Sequence, residues 1–170
     1  MLFDAYLLRR RILSFMPKSL TFEDSINIAA PINQVYALVS DITRTGEWSP
    51  MCEKCWWDED EGPVVGAHFT GRNVTPERTW ETRSEVIVAE PNRCFGWSVT
   101  DGNVKWIYSM EPLEEGTVLT ESWEFTPKGQ RFFHDKFGDK SIEEIEKRRL
   151  AAITGIPETL VAIQRILEVE

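Results

Sequence analysis

From about residue 52 to residue 127 the chain alternates apolar and polar side chains with a period of two, and turn signals cut the stretch repeatedly. The turns are Gly62-Pro63, Thr75-Pro76, Glu90-Pro91-Asn92, Asp101-Gly102-Asn103 and Glu115-Gly116. Between them lie strand-like runs at 52–58, 66–74, 78–90, 93–100, 104–112 and 117–126. Such short links join antiparallel neighbours, because parallel strands need long crossovers. No other feature constrains the fold as strongly.

Alternation sorts these strands into two faces. One carries Phe69, Gly71, Asn73, Trp80, Thr82, Ser84, Val86, Val88, Phe95, Trp97 and Val99, and continues through Trp106, Tyr108, Met110, Leu119, Glu121, Trp123 and Phe125. The other carries Thr70, Arg72, Glu81, Arg83, Glu85, Lys105, Ser109, Glu111, Thr120 and Glu124, and is solvated. A sheet with one apolar face must cover it.

The flanking segments supply the cover. Residues 24–30 alternate as a further strand, and Pro31 opens a short helix carrying Val35, Leu38 and Val39. Thr43–Trp48 reads as a second short helix, stopped by Ser49-Pro50. After a connection holding Phe132, Phe133, His134 and Phe137, Ser141 and Glu144 form a capping-box pattern ahead of a long helix. Ile142, Ile145, Ala152, Ile156, Leu160, Ile163 and Leu167 keep helical spacing, with Gly155 and Pro157 predicting a kink or break. The expectation is an α+β fold: a curved seven-stranded antiparallel sheet around a long C-terminal helix, with two short helices after the first strand. Either a pocket or a filled core would satisfy the apolar face.

With 170 residues the chain fits one domain, read as residues 22–170, preceded by a basic amphipathic extension over 1–21. Residues 1–16 could form a helix on a membrane, on a partner or on the domain itself. A net charge of −9 argues against nucleic acid. Three cysteines, an odd number, do not suggest a secreted disulfide framework. The N-terminal order is not that of a signal peptide, and no stretch reads as a transmembrane helix, so a cytoplasmic location is the default. The acidic run 58–61 reads as a solvated turn.

Glu121 is the carboxylate of most interest, because alternation places it between Leu119 and Trp123, where its pKa should be raised. Asn73 could orient a ligand carbonyl or hold a strand-end network. Cys52 and Cys55 have CxxC spacing without a partner pair and precede a strand rather than a helix, so neither metal binding nor a redox role is expected of them, and no cofactor is expected. His68 and His134 match no nucleophile pattern, and no phosphate loop is present.

Ile28-Ala29-Ala30-Pro31, Val35-Tyr36, Asp41, Glu47-Trp48-Ser49-Pro50, Gly66-x-x-Phe69-x-Gly71-Arg72-Asn73, Trp80, Glu90-Pro91-Asn92-Arg93-x-Phe95-x-Trp97 and Thr120-Glu121-Ser122-Trp123 resemble the START-like, or SRPBCC, superfamily. Within it the chain is most similar to bacterial polyketide cyclase/dehydrase-type proteins, over about residues 22–168. The resemblance implies a helix-grip fold with a deep cavity for hydrophobic or aromatic molecules; some relatives cyclise polyketides and others carry lipids. The favoured reading is a binding protein for a small hydrophobic or aromatic molecule. Trp48, Phe69, Asn73, Trp80, Trp97, Trp106, Tyr108, Glu121, Trp123, Ile145, Ile156 and Leu160 are the candidate lining or gating residues. The alternatives are a cyclase/dehydratase-type enzyme using Glu121, Asn73 and Tyr108, and a lipid-carrying module docking through its N-terminal helix. Oligomeric state is open.

Overall fold

The alternating runs form strands of one antiparallel sheet in a computed structural model that describes residues 18–59 and 62–169. The strands are β1 (Leu20–Ile28), β2 (Cys52–Trp57), β3 (His68–Thr75), β4 (Arg78–Glu90), β5 (Cys94–Val99), β6 (Val104–Leu113) and β7 (Gly116–Phe125). Their order across the sheet is β1-β7-β6-β5-β4-β3-β2. The strands β2 to β7 form a meander, each beside its predecessor, and β1 closes against β7. Thus β1 and β2 stand at opposite edges. The link between them, α1 (Ile32–Ser40) and a 3-10 helix (Ile42–Glu47), crosses the sheet and packs α1 on β5, β6 and β7.

The polypeptide returns through α2 (Pro127–Phe137), a 3-10 turn (Gly138–Lys140) and α3 (Ser141–Val169). Helix α3 lies on β1 and β7, burying Ala152, Ile156, Leu160 and Ile163 against Ile28, Leu119 and Trp123. This is the helix-grip arrangement. Each such aliphatic side chain contributes about 1.5–3 kcal/mol by leaving water.

Several expectations change in the structure. The first strand spans Leu20–Ile28 rather than 24–30, because β7 offers partners as far as Phe125, opposite Leu20. The segment after the sheet is the helix α2, not an irregular connection: Thr126 Oγ1 caps it by accepting the Gly129 N–H, and Pro127 occupies its first turn. Ser141 and Glu144 form no capping box. Ser141 is already helical and pairs with His134 Nδ1 at 2.7 Å, while Glu144 pairs with Lys147. Helix α3 runs unbroken through Pro157. Val88 lies outward, because β4 shifts register between Val86 and Val88 and returns Ala89 to the inner face opposite Phe95. Among the described residues one helical run, Pro127–Val169, is by length and composition apolar enough to cross a membrane, contrary to the expectation that no stretch would be; its apolar residues Ile156, Leu160 and Ile163 are buried on the sheet. The extension over residues 1–16, and Asp60 and Glu61 of the acidic run, lie outside the described residues. Asp58 of that run is tied to the sheet by Arg83 and Thr70.

Candidate functional site

Glu121 reaches the inner face because β7 alternates without a bulge: Leu119, Glu121, Trp123 and Phe125 are all buried. Register then decides its company. Tyr108 of β6 stands directly opposite Glu121 and Phe95 of β5 stands opposite Tyr108. Trp48, just after the 3-10 helix, closes on the same place, buried in one cluster with Tyr108, Trp123, Ile156 and Leu160. Trp48, Tyr108, Glu121 and Trp123 are 5%, 3%, 4% and 3% exposed.

A short hydrogen-bond chain links the polar atoms. The Trp48 indole N–H donates to the Tyr108 hydroxyl, and that hydroxyl donates to Glu121. One carboxyl oxygen, Glu121 Oε2, is buried with no hydrogen-bond partner among the described residues. Removing the carboxyl from water outweighs the help from Tyr108 and pushes its pKa up to about 8. Burial and the facing Glu121 likewise push the Tyr108 phenol up. Near neutral pH Glu121 is therefore mostly a neutral acid. Its second oxygen can present an O–H to an acceptor that the described residues do not provide.

An aromatic string leads away from this point. Tyr108 touches Trp97 at 5.9 Å between ring centroids, Trp97 touches Phe69 at 6.0 Å, and Phe69 meets Trp57 edge-on at 5.7 Å. Trp97 and Trp106 are only half-buried, so part of this wall is reachable by solvent. The structure thus brings together Trp48, Trp97, Trp106, Tyr108, Glu121, Trp123, Ile145, Ile156 and Leu160, with Phe69 in an adjoining cluster.

Two candidates sit apart. Asn73 Nδ2 donates weakly to the Gly71 carbonyl and to Thr82 Oγ1, at 3.4 and 3.3 Å, as a strand-end network would. Trp80, opposite Asn73 in register, belongs to neither core cluster and is capped by the Arg78 guanidinium at 4.3 Å. Trp57 was missed by sequence reasoning, because a bulge in β2 offsets the alternation that would have placed it.

Trp48 and the α3 residues Ile156 and Leu160 pack in the same cluster as Tyr108, the cross-strand neighbour of the buried Glu121. Two open clefts, of about 560 and 540 Å3, lie elsewhere. One is lined by Glu53, Arg72, Trp80 and Glu81, the other by Phe22, Lys105, Ile107, Trp123 and Glu124; neither includes Glu121.

Comparison with known proteins places this geometry among relatives. A family model described as polyketide cyclase / dehydrase and lipid transport matches residues 19–154. The solution NMR structure of a Polyketide_cyc-like protein from Corynebacterium glutamicum is 99% identical, over 90% of this chain and 94% of that one, with a TM-score of 0.69. The di-domain ARO/CYC StfQ from the steffimycin biosynthetic pathway is 16% identical with a TM-score of 0.69. That match covers 93% of this chain but 53% of StfQ, so the chain spans about half its length. Major latex-like protein 151 from Panax ginseng, 10% identical, matches 89% of this chain and 99% of its own with a TM-score of 0.65. The last two likenesses concern fold alone. No curated protein sequence matches the chain.

Proposed function

The chain belongs to the polyketide cyclase / dehydrase and lipid transport family, and from that premise we propose that it binds a small hydrophobic or aromatic molecule bearing an oxygen acceptor. The ligand lies along the aromatic wall of β5, β6 and β7, and its oxygen meets Glu121. One observation carries this reading: on an otherwise apolar wall, Glu121 Oε2 is buried and unpartnered. An unmet buried polar group costs about 1–3 kcal/mol, and a ligand carbonyl or hydroxyl would recover it. Because Trp48 and α3 cover Glu121, the ligand enters by parting Trp48 from Tyr108, breaking one hydrogen bond. The half-buried Trp97 and Trp106 supply the flat apolar surface.

The test is Trp fluorescence during titration of the full chain with an acetylnaphthol and, separately, a medium-chain fatty acid. Saturable quenching is expected with at least one. Glu121→Leu should weaken the acetylnaphthol complex about tenfold, the equivalent of one hydrogen bond of ordinary strength. Glu121→Gln keeps a donor and should bind within about threefold of the parent. Absence of saturable quenching with either probe, or equal affinity in the Leu variant, overturns the reading.

A cyclase/dehydratase activity is the second reading, favoured by a carboxyl whose pKa of about 8 suits proton transfer near neutrality. In it Glu121 donates a proton to a substrate carbonyl while the wall holds the chain folded. Turnover of a poly-β-ketone should then decline above about pH 8 and vanish in Glu121→Gln. Unchanged turnover in that variant removes Glu121 from the reaction.

A further inference from the structure

Cys52 and Cys55 occupy one strand three residues apart, a spacing that regular alternation would put on opposite faces. The strand is not regular. Its register against β3 jumps between Cys52 and Lys54, so Cys52 pairs with Asn73, Lys54 with Arg72 and Cys55 with Gly71. Glu53 is the extra residue of a β-bulge, and the bulge turns both thiols inward. Their sulfurs lie 3.3 Å apart, beside Gly71, where a Cβ would stand 3.2 Å from Cys55 Sγ and 3.7 Å from Cys52 Sγ. Glycine at 71 therefore leaves the room the pair uses.

The bulge is held from outside. Gly46 of the 3-10 helix rests on it so closely that a Cβ there would lie 2.1 Å from the Glu53 carbonyl oxygen. Ser49 Oγ accepts the Cys52 N–H at 2.9 Å, and the Thr45 hydroxyl bonds Cys55. Cys52 is half-buried and Cys55 only 9% exposed. Cys94 stands apart on β5, opposite Glu90 and Ser109.

We propose that Cys52 and Cys55 form a reversible dithiol–disulfide site whose reaction partner is a low-molecular-weight disulfide. The more accessible Cys52 attacks first. Its thiolate bonds to one sulfur of the small disulfide, whose S–S bond breaks to release one thiolate. Cys55 then loses its proton to solvent and its sulfur attacks Cys52 Sγ, expelling the second small thiolate. Two protein thiols are oxidised, the small disulfide is reduced to two thiols, and an excess of small thiol reverses both steps. Electrostatics agree with this order: the hydrogen bond from Cys55 lowers the Cys52 pKa, while that bond and burial push Cys55 up. Among the described residues no group of three His, Cys, Asp or Glu is arranged to hold a metal, so the pair has no built third ligand.

The experiment uses the full chain equilibrated with graded ratios of glutathione to glutathione disulfide. Samples are acid-quenched, free thiols are alkylated, and peptides are mapped by mass spectrometry. A Cys52–Cys55 cross-link is expected, reversed by dithiothreitol. The fold presets the contact, so its equilibrium constant should exceed that of the same chain in guanidinium chloride at least tenfold. The Cys55→Ser variant should stop at one glutathionyl group on Cys52, and Cys94→Ser should match the parent. Three alkylated cysteines across the range, a cross-link through Cys94, or equal constants folded and unfolded would each overturn the proposal.

Discussion

Glu121 keeps a proton that an exposed glutamate has lost well below neutral pH, because its carboxyl is buried and the hydrogen bond from Tyr108 does not offset that burial. That has a consequence for stability. Below pH 4.5 both folded and unfolded chains hold this proton. Between 4.5 and about 8 the unfolded chain has released it and the folded chain has not. Folding stability therefore declines as pH rises through that window, by up to about 1.4 kcal/mol per unit from this group, and levels off above it. Urea unfolding of the parent and of Glu121→Gln between pH 5 and 9 checks this: the parent should weaken with pH and the variant should stay flatter. Parallel curves would mean that Glu121 ionises freely in the folded chain. The carboxylates with lowered pKa, such as Asp58 beside Arg83, act the other way, since they lend stability above their unfolded pKa and lose it on acidification. Their influence ends below the window in which Glu121 acts.

At the scale of elements, short caps and bulges decide where the regular pattern stops. Thr126 joins two roles: its hydroxyl caps α2 by accepting the Gly129 N–H and donates to the Gly102 carbonyl in the β5–β6 turn. Thr126→Ala should cost about 1–2 kcal/mol, since a cap of this kind is worth about 1 kcal/mol and a second bond is lost with it. Chemical denaturation measures this, and a loss under a few tenths of a kcal/mol would contradict the assigned role. The sheet was legible in the sequence because turn residues and alternation coincide from β3 to β7, broken only by the shift after Val86 in β4. Glu121 was legible for the same reason, since nothing between Leu119 and Phe125 disturbs the period. What alternation cannot see is an inserted residue. Glu53 offsets β2, so Cys55 and Trp57 point inward against a simple count, and the shift after Val86 turns Val88 out. Helix α2 was not legible: the residues after its Thr126 cap, with Gly129 and few aliphatics, lack the apolar period that announced α3. Ser141 shows the converse: a good capping sequence inside an already helical run caps nothing.

For the whole molecule, the meander fixes which strands are neighbours, and the crossing from β1 to β2 makes α1 and the 3-10 helix the cover at one end. The long helix covers the β1–β7 side, so the inner face is shut over Glu121 and remains partly open at Trp97 and Trp106. The central claim is that a hydrophobic ligand with an oxygen acceptor reaches Glu121 along this wall. It is tested most directly by a two-dimensional NMR titration of the full chain with an acetylnaphthol, following the Trp indole N–H signals. Saturable shifts are expected at Trp48, Trp97 and Trp106, with Trp48 moving most because its bond to Tyr108 opens. Shifts confined to Trp80, or to Trp123 and the backbone of the cleft around Lys105 and Glu124, would contradict it.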